Sequence, residues 1–472
     1  MAKIKMDMTE GKILPKLIKF ALPIIATSII HQLFNTADTV VVGRWGGATP
    51  AEREIALSAV GSCGPLVSML ITFFMGLSTG AGITVSHAVG AKQDEKIDRT
   101  VHTAVTLAAF CGILLAVLGF VFARPLLELM ETPDAVMDQA VLYMRAYFVG
   151  IPAQLIYNYS AAMLQATGDS TRPLFFLTTA GVVNVLLNLV MVIGFGQGAL
   201  GVGVATSAAQ WVSCFMILGY MMRGKGFCCL SLRRLGFHLS TLKGVLRLGV
   251  PSGVQNSMFA VGNLVMQVAL NSFNNTTYVS GSSIASNVGS YTQLICGGLV
   301  TAIYVFVGQN TGARNIDRIR RCVRIGAITV SISAIVLNTL LNLFSTPLLE
   351  IFAPDNPEVI EFAKLKLLVN SSFYFAAHLE SLYGNAMRGM GKSTLPMIVS
   401  VAGICGVRIL WIYTMFVWIR HPLTIFFAYA ASWSITYVAQ FILYQRLQKK
   451  MGREWELEAE QSRAAELTES AI

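Results

Sequence analysis

The sequence predicts an all-α polytopic membrane protein with twelve transmembrane helices in two six-helix bundles. Three observations support this fold class. The chain of 472 residues is strongly apolar, with 54% hydrophobic and 13% charged residues and a mean hydropathy of +0.61. Its apolar residues are grouped in runs long enough to cross a membrane. Four sequence phrases occur twice, so the chain consists of two similar halves in tandem.

The internal repeat is visible in pairs of phrases that are separated by 222 to 228 residues. The pairs are GAKQDEKIDR (90–99) with GARNIDRIRR (312–321), PLLELM from Pro125 with PLLEIF from Pro347, GDSTRP (168–173) with GKSTLP (391–396), and FALPI around Pro23 with LGVPS around Pro251. Repeats of this size in an apolar chain are typical of transporters that bind substrate between the halves. Six helices per half give both copies the same orientation, so the repeat is parallel.

Each helix is predicted from an apolar run of about twenty residues or more, the length that crosses a hydrocarbon core roughly 30 Å thick. The runs are 14–42, 57–86, 101–123, 139–164, 172–195, 200–222, 244–270, 283–308, 322–345, 360–387, 395–418 and 423–445. The predicted domains are an N-terminal bundle (1–222), a cytoplasmic linker (223–243), a C-terminal bundle (244–446) and a cytoplasmic tail (447–472).

The net charge of +10 follows membrane topology and does not indicate a nucleic-acid partner. With the N-terminus inside, 27 of the 35 Lys and Arg residues lie in the tails and inner loops, seven lie near the outer side, and Arg408 lies within a helix. This positive-inside pattern predicts that both termini are cytoplasmic. The polar N-terminus lacks the features of a removable signal peptide. We therefore expect a multi-pass protein of the plasma (inner) membrane, surrounded by lipid and monomeric.

The sequence gives no sign of an enzyme. No nucleophile, base and orienting residue can be assembled from it. Its eight cysteines have no metal-ligand spacing and no His partners. We expect no cofactor, no resident metal and no catalytic residues.

Two acidic residues, Asp38 and Glu380, are predicted to lie inside the membrane. A charge at the bilayer centre costs about 2.5 to 3.5 kcal/mol on insertion scales, so such residues usually face a cavity or a partner and mark an ion pathway. Asp38 shares one helix face with Thr27, His31 and Asn35, because the spacings are four, four and three residues. This polar stripe points to an ion site in the first bundle.

Depths counted at about 1.5 Å per residue suggest which residues surround Asp38. Four polar residues fall at similar depth in the outer half of the first bundle and are predicted to form a cation-coupling site: Asp38, Asn184, Asn188 and Thr206. His31, Asn35 and Asn158 are predicted to support it. Taken singly, each asparagine is more often a helix-to-helix hydrogen bond than an ion ligand.

A second charged group is predicted in the C-terminal bundle. Glu380 and Arg408 differ in depth by only about 6 Å, a gap that an arginine side chain can span. Pairing would neutralise both charges. The predicted pair is either structural or a proton-sensitive latch, and the sequence leaves both readings open.

The chain resembles the multidrug and toxic compound extrusion (MATE) transporters, in the DinF-like branch, over nearly all of residues 10–446. The resemblance is carried by LIKFALPIIATSIIHQLFNTADTVVVGRWGG (17–47), by the paired loops at 90–99 and 312–321, and by the turn at 388–393. It implies two six-helix bundles arranged as a V around a central cavity. It also implies export of amphipathic, often cationic, organic compounds in exchange for Na⁺ or H⁺, with the coupling acid of helix 1 at Asp38.

The sequence departs from the family pattern at two places. Asn188 stands where some relatives have a second acid, and residues 251–270 lack the acid that others carry in helix 7. With one carboxylate in the first bundle, proton binding is the simplest coupling chemistry, because protonation removes a buried charge. A Na⁺ site at Asp38 stays open as an alternative, since hard cations accept neutral oxygen ligands.

Two other functions remain as alternatives to a cation-coupled multidrug antiporter that works by alternating access. The first is a flippase of lipid-linked precursors, which would favour a cationic cavity for phosphate. The second, from a different class, is a membrane receptor or channel. A receptor does not need tandem halves, and a channel would be expected to form its pore by oligomerisation.

Overall fold

The computed structural model describes residues 6–224, 228–353 and 356–469, and within these ranges the regular secondary structure is helical throughout. Parts of all four predicted domains lie outside the described residues: 1–5 of the N-terminal bundle, 225–227 of the linker, 354–355 of the C-terminal bundle and 470–472 of the tail.

The described residues of the first half of the chain form seven α-helices. They are α1 (Ile13–Trp45), α2 (Pro50–Gly90), α3 (Asp94–Val121), the short α4 (Ala123–Leu129), α5 (Asp134–Ala166), α6 (Thr171–Asn188) and α7 (Gly198–Met222). A π-helical segment, Leu189–Gly194, continues α6 without a break, and a 3₁₀ turn, Leu232–Arg234, follows α7.

The second half repeats this order. Its helices are α8 (Leu239–Asn271), α9 (Thr276–Gly312), α10 (Ile316–Leu343), the short α11 (Ser345–Glu350), α12 (Pro357–Gly389), α13 (Thr394–Ser400), α14 (Val407–Tyr413), α15 (Met415–Trp418) and α16 (Pro422–Glu469). A π-helical segment, Val401–Gly406, joins α13 to α14.

All twelve predicted membrane helices are present as long helical segments in the described ranges. Nine of these segments are long and apolar enough to cross a membrane by length and composition alone. The remaining three are α5, α8 and α12, which fill the places of the fourth, seventh and tenth predicted helices. The last helix continues well beyond its predicted end at 445, through most of the predicted tail.

The duplicated phrases adopt duplicated conformations. Gly168 and Gly391, in the GDSTRP and GKSTLP turns, have φ values of +85° and +79°, a region that favours glycine because it has no Cβ. Lys92 and Arg314, at matching positions of the other loop pair, both adopt the left-handed conformation with φ near 55°. The repeat detected in the sequence is therefore also a repeat of backbone geometry.

The chain divides into two compact units. Unit 1 consists of the residues up to Asp7, Lys19–Val85 and Gln93–Ser257, and unit 2 consists of Met8–Ile18, Ser86–Lys92 and the residues from Met258 onward. Each unit thus combines one tandem half with a short piece of the other, which the sequence-based domain limits do not anticipate. Those domain limits stay a prediction.

In each unit the fourth long helix of its half occupies the centre. In unit 1, α5 packs against α3 and α7, and in unit 2, α12 packs against α9, α10 and α16. Both central helices have most of their side chains buried. They form the buried centre of each unit.

Candidate ion-coupling site

Four polar side chains from three helices meet in unit 1. Asp38 comes from α1, Asn184 and Asn188 from α6, and Thr206 from α7. The two asparagines are four residues apart and therefore lie on one face of α6. Asn188 is the last residue of α6 before the π-helical segment, a type of helix irregularity that is frequent at functional sites.

Hydrogen bonds join the four side chains into one group. Asn188 Nδ2 donates to Asp38 Oδ1 at 2.5 Å, and Thr206 Oγ1 donates to Asp38 Oδ2 at 3.3 Å. Longer contacts of 3.4 Å run from Asn184 Nδ2 to Thr206 Oγ1 and from Asn188 Nδ2 to Asn184 Oδ1. Both carboxylate oxygens of Asp38 thus accept from neutral donors, and no basic side chain among the described residues forms an ion pair with it.

Burial differs across the group. Asn184 and Asn188 are buried, at 5% and 0% exposure, whereas Asp38 and Thr206 are half-buried. The Oδ1 atom of Asn188 is buried and has no hydrogen-bond partner among the described residues. An unpaired buried acceptor is costly. The group therefore offers a carboxylate, a spare amide oxygen and a hydroxyl within one small volume.

The predicted supporting residues are less closely connected. The side chains of His31 and Asn35 are exposed and contact each other, with 3.3 Å between Nδ1 and Nδ2, but neither hydrogen-bonds to Asp38. Thr27, on the same face, donates to the Pro23 carbonyl at 2.7 Å. The polar stripe of α1 therefore leads along the helix towards Asp38 and is not part of the bonded group.

Asn158 belongs to another part of unit 1. It lies on the central helix α5 and is half-buried, and its side chain has no hydrogen bond to any described residue. The structure does not bring it into the Asp38 group.

The predicted Glu380–Arg408 ion pair does not form in the described structure. Glu380 is buried on α12 and accepts from Ser400 Oγ and, at 3.4 Å, from Ser381 Oγ. Behind Ser400, Gln440 Nε2 donates to the Ser400 hydroxyl at 2.8 Å. These hydrogen-bond partners of Glu380 are neutral, and the positive charge of Arg388, on the same helix, also acts on its carboxyl group.

Arg408 has its own set of partners on other helices. Its Nη1 donates to Asn263 Oδ1 at 2.8 Å, its Nε donates to Ser432 Oγ at 3.2 Å, and its guanidinium lies 4.3 Å from the ring centre of Tyr429. The π-helical segment Val401–Gly406 separates Ser400 from Arg408 and changes the rotation of the helix between them. The depth estimate assumed a regular helix, so it could not predict which neighbouring helix the Arg408 side chain faces.

The sequence analysis missed a buried cation, Lys366 of α12. Its Nζ donates to the carbonyl and hydroxyl of Ser282 at 2.9 and 2.7 Å and to the hydroxyl of Ser286 at 2.7 Å. The predicted helix 360–387 contains Lys366 near its start, and nothing in the sequence pattern marks this lysine as buried. The Asn356–Pro357 start, with Asn356 capping the helix, is the signal that α12 begins nine residues before Lys366.

Comparison with known proteins identifies the family. A model of the MatE family matches residues 23–190 and 251–414, one segment in each tandem half. The chain belongs to the MatE family. The two matched segments contain Asp38 and Asn184 in the first half and Glu380 and Arg408 in the second.

Several MatE relatives are similar over most of their length. The probable multidrug resistance protein YoeA of Bacillus subtilis is 27% identical over 440 residues, which cover 91% of this chain and 93% of that protein. The probable multidrug resistance protein NorM of Thermotoga maritima is 27% identical over 405 residues, 84% of each chain. A solved structure of MATE in the bent conformation has a TM-score of 0.87 at 16% identity, covering 95% of this chain and 98% of that one.

The MatE assignment confirms the predicted family, fold class and multi-pass membrane character. The chain is a transporter of the MatE family and not an enzyme. Its assignment to the DinF-like branch and the roles of the individual site residues stay predictions.

Proposed function

We propose that this MatE protein is a cation-coupled antiporter that exports amphipathic or cationic organic compounds by alternating access. The observation that carries the proposal is the Asp38 group: a carboxylate on a membrane helix, held by Asn188 and Thr206 and left without a cationic partner among the described residues. Ionisable side chains inside a membrane usually mark the path of an ion, and a carboxylate can bind one cation in place of another. The names of the relatives, which refer to multidrug resistance, support the substrate class.

The proposed coupling ion is a proton. Both oxygens of Asp38 accept hydrogen bonds from neutral donors, an arrangement in which gain or loss of one proton changes the charge of the whole group. One charge that crosses a potential of 100 mV carries about 2.3 kcal/mol, or about a fifty-fold concentration ratio. Exchange of one proton for a monovalent organic cation moves no net charge, so export of that substrate would draw on the pH gradient.

Na⁺ is the second candidate ion, and one observation favours it. The buried, unpaired Oδ1 of Asn188 is a hard oxygen ligand next to the Asp38 carboxylate. Together with Asn184 Oδ1 and the Thr206 hydroxyl it fits the ligand chemistry of a small hard cation. Binding would require the Asn188 amide to turn, because its Nδ2 donor now faces Asp38.

The proposed setting is the plasma membrane with both termini cytoplasmic, as the distribution of Lys and Arg indicates. We expect a monomer that needs no cofactor beyond the coupling ion and no nucleic-acid partner. A flippase of lipid-linked precursors is less well supported, because the guanidinium of Arg408 is already engaged by Asn263, Ser432 and Tyr429.

Asp38→Asn tests the proposal. The amide has nearly the same shape as the carboxyl group but cannot take up a proton or hold a full negative charge. We expect coupled efflux from proteoliposomes to be lost while the protein still inserts and folds. Thr39→Val is the control and should transport normally, because among the described residues the hydroxyl that it removes is bonded to the Asn35 carbonyl and not to the Asp38 group. Undiminished efflux by the Asp38 variant would refute the proposal.

The coupling ion can be identified in the same proteoliposomes by imposing a pH gradient or a Na⁺ gradient, one at a time. Proton coupling predicts efflux driven by the pH gradient alone. Efflux driven only by Na⁺ would replace the proton with the second candidate.

A further inference from the structure

A cavity of about 590 Å³ lies in unit 2 between the N-terminal segment and the start of α10. Its walls are formed by Thr9 and Gly11–Pro15 on one side and by residues between Asn315 and Ile325 on the other. The volume is within the range of about 300 to 1,000 Å³ that is typical of small-ligand sites.

The N-terminal segment is fixed in place over this cavity. Met8 is buried, its N–H donates to Gln309 Oε1 at 3.0 Å, and its carbonyl accepts from Asn310 Nδ2 at 3.2 Å. Arg318 donates to the same Met8 carbonyl at 2.9 Å and to the Glu10 carbonyl at 2.5 Å. Four hydrogen bonds to the side chains of Gln309, Asn310 and Arg318 therefore hold the N-terminal segment against α9 and α10.

The lining of the cavity is positively charged, and two of its basic side chains have no hydrogen-bond or ion-pair partner among the described residues. Lys12 and Arg321 are exposed, and neither has a hydrogen bond or ion pair with any residue in the described part of the chain. The acidic residue of the lining, Asp317, forms an ion pair with Arg320, whose Nη1 lies 3.3 Å from the carboxylate. The excess of positive charge in the lining favours binding of an anionic group.

Apolar faces continue from the cavity along both helices. On α1, Leu14 and Ile18 are exposed four residues apart, and on α10, Ile328 and Ile332 are exposed at the same spacing. Residues at this spacing share a helix face. A ligand that contacted both regions would need an anionic end and an apolar body.

The repeat supplies an internal comparison for this site. Arg99 is the counterpart of Arg321 in the first half, but it forms an ion pair with Glu95 of the same helix. The first copy of the loop contains Asp94, Glu95 and Asp98, whereas the second copy has a single acid in 316–321. Only the second copy has gained an excess of cations.

We propose that this cavity binds the phosphate headgroup of an anionic phospholipid, with the acyl chains along the exposed faces of α1 and α10. Basic pockets beside membrane helices on the cytoplasmic side are suited to such headgroups. The proposal rests on the orientation given under the proposed function, with the N-terminus at the cytoplasmic face. The bound lipid would connect the N-terminal segment to α10 and stabilise unit 2.

The test compares thermal unfolding of the full chain in nanodiscs of phosphatidylcholine with and without phosphatidylglycerol. We expect phosphatidylglycerol to raise the unfolding temperature of the wild type and of Arg99→Gln, and to have a much smaller effect on Arg321→Gln. Lys12→Gln should also reduce the rise in unfolding temperature that phosphatidylglycerol causes. Arg321→Lys, which keeps the positive charge, should show most of the rise seen in the wild type. Each lost cation should weaken binding of phosphatidylglycerol, measured by native mass spectrometry, about fivefold, the equivalent of about 1 kcal/mol.

Equal lipid responses of Arg321→Gln and Arg99→Gln would overturn the proposal, since the effect would then be a general one of surface charge. Inorganic phosphate is added to phosphatidylcholine nanodiscs as a separate arm. If it stabilises the wild type as strongly as phosphatidylglycerol does, the site takes a free anion and the lipid proposal is wrong. These readouts do not depend on transport, so failure here is distinct from failure of the Asp38→Asn test.

Discussion

Asn188→Asp changes the charge of the proposed coupling site with almost no change in shape. Asn188 Nδ2 now donates to Asp38 Oδ1 at 2.5 Å. The substitution replaces this donor with a second carboxylate oxygen at the same place. It also restores the acid that the family resemblance leads one to expect on this helix.

The size of the effect follows from the separation of the two oxygens. Two unit charges 2.5 Å apart repel by about 7 kcal/mol at an effective dielectric constant of about 20. Both carboxylates therefore cannot be ionised without a compensating cation. The variant should hold either one shared proton or one bound metal cation, and it should exchange the first for the second when Na⁺ is added.

The assay measures the unfolding temperature of the purified variant during a titration with NaCl, with choline chloride at equal ionic strength as the reference. A Na⁺ concentration about 100 times Kd would stabilise the folded protein by about 2.7 kcal/mol. We expect a clear Na⁺-specific rise for Asn188→Asp and proton release on Na⁺ addition in a weakly buffered solution. The wild type, with one carboxylate, should respond less.

Asn287→Asp is the matched control, because it makes the same amide-to-carboxylate change at an exposed position of α9, which belongs to unit 2 and not to the unit that holds Asp38. If Asn188→Asp shows no greater Na⁺ stabilisation than Asn287→Asp, the reasoning from the Asp38–Asn188 contact is wrong. A strong Na⁺ response of the wild type itself would instead favour the second candidate ion.

Two predictions concern stability. Gly76→Ala should cost about 1 to 3 kcal/mol through overpacking, because the added methyl carbon would lie 2.5 Å from the backbone of α8. Gly64→Ala, on the same helix with open space around it, should be neutral or stabilising, and equal unfolding temperatures of the two variants would contradict the packing argument. Lys366→Met should lower the unfolding temperature by removing the donors to Ser282, at a cost of about 1 to 3 kcal/mol. Lys364→Met is its half-buried control, and a Lys366 variant as stable as this control would show that the buried ammonium contributes nothing.

The elements of the fold were predictable because they depend on local sequence. Runs of apolar residues determine where helices can cross a membrane, and the duplicated phrases gave the tandem organisation. The matching left-handed residues Lys92 and Arg314 show that even the loop conformations were encoded in the repeated phrases. The exchange of short segments between the two units was not predictable, because it depends on contacts between residues far apart in the chain.

Counting residues along a regular helix predicted the neighbours of Asp38 correctly, but it did not predict the partners of Glu380 and Arg408. Asn184 and Asn188 lie before the π-helical segment of their helix, so regular helix geometry predicted both their depth and their shared face. Arg408 lies beyond the corresponding irregularity, and a depth count alone brought it close to Glu380. The side-chain direction there is determined by the π-helical turn and by acceptors on neighbouring helices.

The sequence by itself determined the membrane helices, the parallel repeat and the acidic residues that had to be placed inside the bilayer, since these follow from composition and spacing along the chain. The tertiary structure decided which partners each buried charge has. It joined Asp38 to Asn188 and Thr206, separated Glu380 from Arg408, and enclosed Lys366 between serines. The physical reason is that a buried charge is stabilised by short contacts that depend on the rotation of each helix, whereas hydrophobic patterning determines only where each helix lies along the sequence.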